Sequence, residues 1–353
     1  MNKQFIKGNE AIAESAVRAG CRFFAGYPIT PQNEIPEYLS SRLPEVGGKF
    51  IQGESEIASV FMVYGVAATG IRAMTSSSGP GLALKSEGIS VLAAGKIPSV
   101  IVNVTRGGPA LGTIEPAQQD YLSSVHSPAP GGFKCFVLAP QNVQEAADFV
   151  YRAFDIADKY RAPVIVLADG MIGNMMEVVE LPEMRDIEDL PNNDNWRFNK
   201  YNDDGSIRVL STYCPTGAML MAQNKKMKEM YDTWDKEEQQ WDEYMLDDAE
   251  YVICAYGSSA RIAKSAVKEL RAEGIKAGLL RPITLVPFPK YAFEKLNYNK
   301  IKEMFCAEMS IPGQFIYDVK YHVLGRSKVL PIQTSGGVIL ETDIIINEVK
   351  ANL

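Results

Sequence analysis

The run Ser99-Val100-Ile101-Val102-Asn103-Val104 is almost unbroken in β-branched and apolar residues. A strand with one wet face alternates polar and apolar positions, whereas a run without alternation suits a strand covered on both faces, as in a parallel sheet. Phe136-Val137-Leu138-Ala139 and Val164-Ile165-Val166-Leu167-Ala168 repeat the pattern, and the stretch 143–159 between them is long enough for a helix. Upstream, residues 9–19 place Ile12, Ala13, Ala16 and Val17 on one helical face, with Gly20 as a natural stop. Residues 21–26 then read as a short buried strand. Residues 57–68 are apolar almost all round, which predicts a buried helix closed by Gly70. A strand at 71–75 and a helix at 80–94 follow. Strands separated by helices of this length imply βαβ units and a parallel sheet with helices on both faces.

The character changes near Gly173. Residues 181–207 are polar and turn-rich, with Pro182, Pro191 and the run Asn192-Asn193-Asp194-Asn195, and read as a crossing between domains or a surface excursion. In the charged stretch 218–247, Met227, Met230, Tyr231, Trp234, Trp241 and Met245 predict the apolar stripe of one helix, lying over a domain surface or facing a partner. A second α/β unit starts at Tyr251, with strands at 251–256, 277–280, 304–307 and 328–332 and a helix at 260–273 stopped by Gly274. The expected organisation is therefore an α/β domain over 1–180, a linker with an amphipathic helix over 181–249 and a second α/β domain over 250–353.

Composition narrows the chemistry. The 353 residues, 46% hydrophobic and 22% charged, suit two globular domains and exclude a disordered, collagenous or disulfide-scaffold chain. A formal charge of −7 makes non-specific nucleic-acid or anionic-membrane binding unfavourable. His126 and His322 are the only histidines, which argues against zinc sites and Ser-His-Asp triads. Cys21, Cys135, Cys214, Cys254 and Cys306 are scattered, with no iron–sulfur or CxxC spacing, and fit reduced thiols. Residues 1–8 lack the apolar core of a signal peptide and no run is long enough to span a membrane, so a cytoplasmic protein is expected.

In open parallel sheets ligands bind beyond the carboxyl ends of the strands. After the first strand comes Tyr27-Pro28-Ile29-Thr30-Pro31, a rigid loop that can hold one hydroxyl in place or simply start a helix with Thr30 as its cap. Next, Gly53-Glu54-Ser55-Glu56 feeds the apolar helix; acids there either complement the helix dipole or place one carboxylate in an apolar pocket as a proton carrier. Glu54 and Glu56 lie on different helical faces, so both cannot serve the same pocket. Thr75-Ser76-Ser77-Ser78-Gly79-Pro80-Gly81 is a small-residue turn that lets a ligand approach backbone amides, although it lacks the third glycine of a dinucleotide fingerprint. Arg106, beside Gly107 and Gly108, is placed for a small carboxylate or phosphate, or for a structural ion pair. Asp169-Gly170 looks like a metal or diphosphate turn without the asparagine that should follow it.

The pentapeptide Tyr27-Pro28-Ile29-Thr30-Pro31, Ser55-Glu56 heading a small-residue apolar helix, and Thr105-Arg106 together resemble the α-type subunit of 2-oxoacid:ferredoxin oxidoreductases. The likeness extends through the second half, where Arg281-Pro282-Ile283-Thr284, Glu308-Met309 and Gly313-Gln314 resemble that subunit's transketolase C-terminal-like domain. Asn33-Glu34-Ile35-Pro36-Glu37-Tyr38 is most similar to the short subunit of the branched-chain (2-oxoisovalerate) enzymes. The resemblance implies a pyrimidine-binding domain for thiamine diphosphate followed by a transketolase C-terminal-like α/β domain. It implies that Glu56 hydrogen-bonds the aminopyrimidine ring and so activates the thiazolium. Thr30 and Arg106 would hold the 2-oxoacid, and Tyr27, Pro28, Ile29, Ser77 and Ser78 would line the cofactor. The reaction implied is oxidative decarboxylation of a 2-oxoacid to acyl-CoA and CO2 with reduction of ferredoxin. Mg²⁺ and the [4Fe-4S] clusters would sit on partner chains: a thiamine-diphosphate-binding β subunit, a γ subunit and a ferredoxin-like δ subunit. The chain would then be one part of a hetero-oligomer and inactive alone. A 2-oxoglutarate-specific or other member of the family, and a non-catalytic assembly subunit of the same fold, are the alternatives.

Overall fold

A computed structural model describes residues 3–353. Its strands are β1 (Lys3–Lys7), β2 (Phe23–Gly26), β3 (Lys49–Gln52), β4 (Ala73–Ser77), β5 (Ser99–Thr105), β6 (Phe136–Leu138), β7 (Pro163–Asp169), β8 (Met176–Glu180), β9 (Trp241–Tyr244), β10 (Tyr251–Ala255), β11 (Ala277–Pro282), β12 (Thr284–Val286), β13 (Glu303–Glu308) and β14 (Val329–Gln333). Seven of them form one sheet in the order β12-β6-β7-β5-β4-β2-β3. All its pairings are parallel except that of β12 with β6. β5 and β7 pair along their whole length, from Ser99 opposite Pro163 to Thr105 opposite Asp169, and every residue of both is buried. This is the two-sided burial that the unbroken apolar runs require.

A second sheet, β14-β13-β10-β11-β9, is parallel but for its edge strand β9. β1 and β8 form a small antiparallel pair against the Gly8–Arg18 helix. The two halves interlock. β12 lies beyond β11 in sequence yet closes the edge of the first sheet. Gln118 donates to the Tyr256 carbonyl (3.0 Å) and accepts from Ser259 Oγ (2.7 Å) and the Met309 amide (3.0 Å). Arg281, buried, donates to Glu145 (2.9 Å) and Asp242 (2.6 Å).

Three segments differ from the sequence reading. The Glu56–Ala67 helix is not buried all round: Ile57 is 47% and Phe61 37% exposed, one turn apart on a bare apolar face. The helix expected at 80–94 is two, Gly79–Leu84 and Ser86–Ala94, broken at Lys85. The helix expected to 247 ends at Glu237, and Trp241 lies instead in β9. Trp234 is covered by this chain, edge-on to Phe136 and Tyr160. The short strands β1, β3, β8 and β9 have no apolar run to announce them; Lys49 and Gln52, for example, are exposed.

Candidate functional site

The carboxyl ends of β2, β4 and β5 and the loop after β3 meet at one edge of the larger sheet. Glu56 opens its helix there. Ser55 Oγ caps that helix by accepting from the Ala58 amide (3.1 Å), which relieves one of the unpaired first-turn N–H groups. Glu56 is 7% exposed and Glu54 is exposed, so the structure selects one of the two acids for the interior. No hydrogen-bond donor among the described residues reaches the Glu56 carboxylate.

The focus of the site is Gly81. A Cβ at that position would lie 2.4 Å from Ser77 Oγ, 2.8 Å from Glu56 Oε1 and 3.2 Å from Ile29 Cδ1. The Glu56 carboxylate at a helix head, the Ser77 hydroxyl at the end of β4 and the Ile29 side chain of the proline loop therefore pack together onto the Gly81 backbone, which leaves no room there for a side chain. Ser77 Oγ and Ser78 Oγ are both buried without a partner. Buried hydroxyls normally find one, so these two are available to a ligand.

Arg106 follows β5 and is buried. Its Nη1 donates to the Thr30 carbonyl (2.9 Å), tying the β5 loop to the proline loop, while its Nε has no partner. Thr30 Oγ1 accepts from Asn33 Nδ2 (3.3 Å). Tyr27 and Pro28 face outward; Tyr27 is 38% exposed. The structure thus gathers Ile29, Glu56 and Ser77 at one point, links Thr30 to Arg106 beside it, buries Ser78 and leaves Tyr27 and Pro28 on the rim.

Three contributors were not singled out in the sequence: Lys85, Asn103 and Asp120. Lys85, fully buried, donates to Thr75 Oγ1 (2.9 Å) and to the Glu56 carbonyl (3.5 Å), and burial pushes its ammonium down to about 8. Asp120 accepts from the Gly79 amide (3.1 Å) and Asn103 Nδ2 (3.1 Å), and burial raises its carboxyl. Gly81 belongs to the small-residue turn already read from the sequence, but its meeting with Glu56 and Ile29 does not show there. The available signals were a lysine inside an apolar helical stretch and an asparagine inside an apolar strand. Beside Arg106 opens a cleft of about 800 Å³, walled by Pro80, Leu82, Leu84, Pro109, Ile311 and Pro312, with Arg106 and Asp120 as its charged lining.

Asp169 is a helix cap. Its Oδ1 accepts from the Met171 (3.0 Å) and Ile172 (3.1 Å) amides, and its other oxygen accepts from Ser258 Oγ. Burial raises this carboxyl. Glu308 likewise caps the Phe315–Val323 helix through the Gln314 (2.9 Å), Phe315 (3.0 Å) and Ile316 (3.2 Å) amides. No group of three or more His, Cys, Asp or Glu among the described residues is arranged to hold a metal. No helix among them is long and apolar enough to cross a membrane.

Residues 14–244 match the family described as pyruvate flavodoxin/ferredoxin oxidoreductase, thiamine diphosphate-binding, and residues 249–345 match pyruvate:ferredoxin oxidoreductase core domain II. The chain is 44% identical over 350 residues to the ketoisovalerate oxidoreductase subunit VorB of Methanothermobacter marburgensis, covering 99% of this chain and 98% of that one. It is 36% identical over 364 residues to the 2-oxoglutarate synthase subunit KorA of Methanocaldococcus jannaschii, covering 96% of each. In fold it matches the 2-oxoglutarate:ferredoxin oxidoreductase from Magnetococcus marinus, solved with 2-oxoglutarate, coenzyme A and succinyl-CoA bound. The TM-score is 0.85 at 24% identity, and the match covers 99% of this chain but 65% of that longer one. A split-gene transketolase, an inactive β4 tetramer, matches with a TM-score of 0.60 at 14% identity, covering 99% and 98% of the two chains.

Proposed function

The chain belongs to the family of 2-oxoacid:ferredoxin oxidoreductase subunits, and from that membership we propose that it supplies the pyrimidine-binding half of a thiamine diphosphate site acting on a branched-chain 2-oxoacid. The observation that carries this reading is the convergence of Glu56, Ser77 and Ile29 on Gly81. A buried carboxylate without a donor, two buried serine hydroxyls without partners and an apolar side chain, gathered against a glycine backbone, suit a ligand with polar edges and a flat apolar face. Thiamine diphosphate, when bound, supplies a nucleophilic carbon and an electron sink for decarboxylation. This chain's part is to hold the ring and move its proton. Glu56 accepts or returns the proton at the ring nitrogen, Ser77 and Ser78 offer hydroxyls to the ring edge, and Ile29 packs against its face. Arg106, anchored to the Thr30 carbonyl, directs its free N–H toward the substrate carboxylate.

The cleft beside Arg106 favours an aliphatic substrate. Prolines, leucines and Ile311 make up most of its apolar wall, Ser86, Ser123, Ser127, Gln119 and Gln314 its neutral polar part, and Arg106 is the one cation in its lining. A second carboxylate, as in 2-oxoglutarate, would meet Asp120 and no further positive charge. Incomplete enclosure supports a division of labour between chains. Ile57 and Phe61 leave an apolar face bare on the helix that Glu56 heads, as expected where a thiamine-diphosphate-binding β subunit closes the pocket. Mg²⁺ for the diphosphate and the iron–sulfur clusters belong, in this reading, to that subunit and to the γ and δ subunits of a cytoplasmic hetero-oligomer that passes electrons to ferredoxin. The test is purification of the native complex, followed by coenzyme A-dependent viologen reduction over a panel of 2-oxoacids. Branched-chain 2-oxoacids should give the highest kcat/KM. Preference for 2-oxoglutarate would overturn the substrate assignment, and no 2-oxoacid activity in the intact complex would overturn the function.

A further inference from the structure

We propose that Lys85 is a positioning residue for Glu56, its ammonium bridging the Thr75 hydroxyl to the peptide at the head of the Glu56–Ala67 helix and so fixing where the Glu56 side chain starts. The inference rests on the reading of Glu56 given above. Lys85 stands at the break between the Gly79–Leu84 and Ser86–Ala94 helices, with no exposed surface. Lysine is almost never fully buried unless paired. Yet no carboxylate oxygen among the described residues lies within 4.0 Å of its nitrogen, whose partners are Thr75 Oγ1 at 2.9 Å and the Glu56 carbonyl at 3.5 Å. The contact is held from both sides. Gly88 packs so tightly against Val60 that a Cβ there would lie 2.2 Å from Val60 Cγ1, which fixes the Ser86–Ala94 helix against the one Glu56 begins. Glu56 is the charge that acts on the ammonium, opposing the burial that pushes it down. The other charged groups at this sheet edge are Arg106 and Asp120. Asp120 is tied to the Gly79 amide and to Asn103, and the Arg106 charge bears on it.

A methionine would fill the same space without burying a charge, so a purely structural Lys85 has no electrostatic reason to be there. What the ammonium adds is a donor that ties the Thr75 hydroxyl on β4 to the Glu56 carbonyl, so that strand and helix head keep one spacing.

The test uses the assembled complex carrying Lys85→Met, the milder Thr75→Val, which removes only the hydroxyl partner, and Glu56→Gln as reference. Three quantities are followed from about pH 6 to about pH 9: thiamine diphosphate affinity by fluorescence titration, thermal unfolding of the cofactor-free protein, and kcat. Lys85→Met should weaken cofactor binding roughly tenfold and lower kcat by a larger factor, because a positioned group is displaced, with Thr75→Val changed in the same direction by less. The cofactor-free Lys85→Met protein should be more heat-stable than the wild type near neutral pH. The sign follows from a folded value of about 8 below the ordinary 10.5: the fold disfavours the charged lysine, so wild-type stability recovers as pH rises from about 8 toward 10.5 and the gap narrows. If both variants keep the wild-type cofactor affinity and kcat while only the unfolding temperature moves, Lys85 is structural and the proposal fails. If Glu56→Gln itself binds cofactor and turns over as the wild type does, the assignment of Glu56 falls, and this inference with it.

Discussion

Gly81→Ala adds one carbon at the point where the site converges. Gly81 does not adopt the left-handed backbone conformation, so alanine is allowed there and the effect is steric. The new Cβ would stand 2.8 Å from Glu56 Oε1 and 2.4 Å from Ser77 Oγ, against an ordinary contact of 3.4 Å. Glu56 must retreat by about 0.6 Å and Ser77 by about 1.0 Å, or the Gly79–Leu84 helix must lift by a similar amount. Overpacking on this scale costs about 1–3 kcal/mol of stability, a loss that a protein of this size survives. Its effect on chemistry is larger, because a misplacement of about 1 Å in a positioned group can lower a rate by about a hundredfold. The assay is 2-oxoacid-dependent viologen reduction by the assembled complex, with thermal unfolding measured on the same preparation. The expected result is a kcat about a hundredfold lower with the complex still assembled. A Gly81→Ala complex that keeps more than half the wild-type kcat would show that the reacting ring does not sit against this glycine.

Arg106→Met should raise KM for the 2-oxoacid by about tenfold or more, with a smaller change in kcat, because it removes a charge-assisted contact made to bound substrate; unchanged kinetics would remove Arg106 from the substrate site. His126, half-exposed, lies 2.7 Å from Asp318, and that hydrogen bond raises its imidazole above the usual 6.5. The raised folded value makes its contribution fully present below about pH 6.5 and lost as pH climbs through the folded value. His126→Ala should therefore be destabilised most in mildly acidic buffer and converge with the wild type on the alkaline side. An unfolding-temperature difference independent of pH would refute the pairing.

Much of the first sheet is legible because burial on both faces leaves no alternative to apolar residues, as in β5 and β7. The site is legible in part for a different reason. Ser55 and Glu56 announce a helix head, and the prolines around Thr30 announce a rigid loop, but neither says which side chains meet. Glu54 and Glu56 are equivalent acids in sequence and are separated only by which helical face packs inward. The Glu56–Ala67 helix misleads because its apolarity on every side signals burial, while Ile57 and Phe61 are bare in a single chain. Lys85 is hidden by the opposite effect: a lone lysine in an apolar helix reads as the solvent-facing position, whereas the break in that helix turns it inward. The interlock of the halves through β12, Gln118 and Arg281 depends on contacts distant in sequence, which no local pattern encodes.

The most direct test of the account is the Glu56→Gln substitution in the native complex, checked for assembly and folding and assayed by coenzyme A-dependent viologen reduction with a branched-chain 2-oxoacid. Glutamine keeps the shape and removes the exchangeable proton, so turnover should fall by about 10²–10⁴-fold. An assembled, correctly folded Glu56→Gln complex that turns over at the wild-type rate would contradict it.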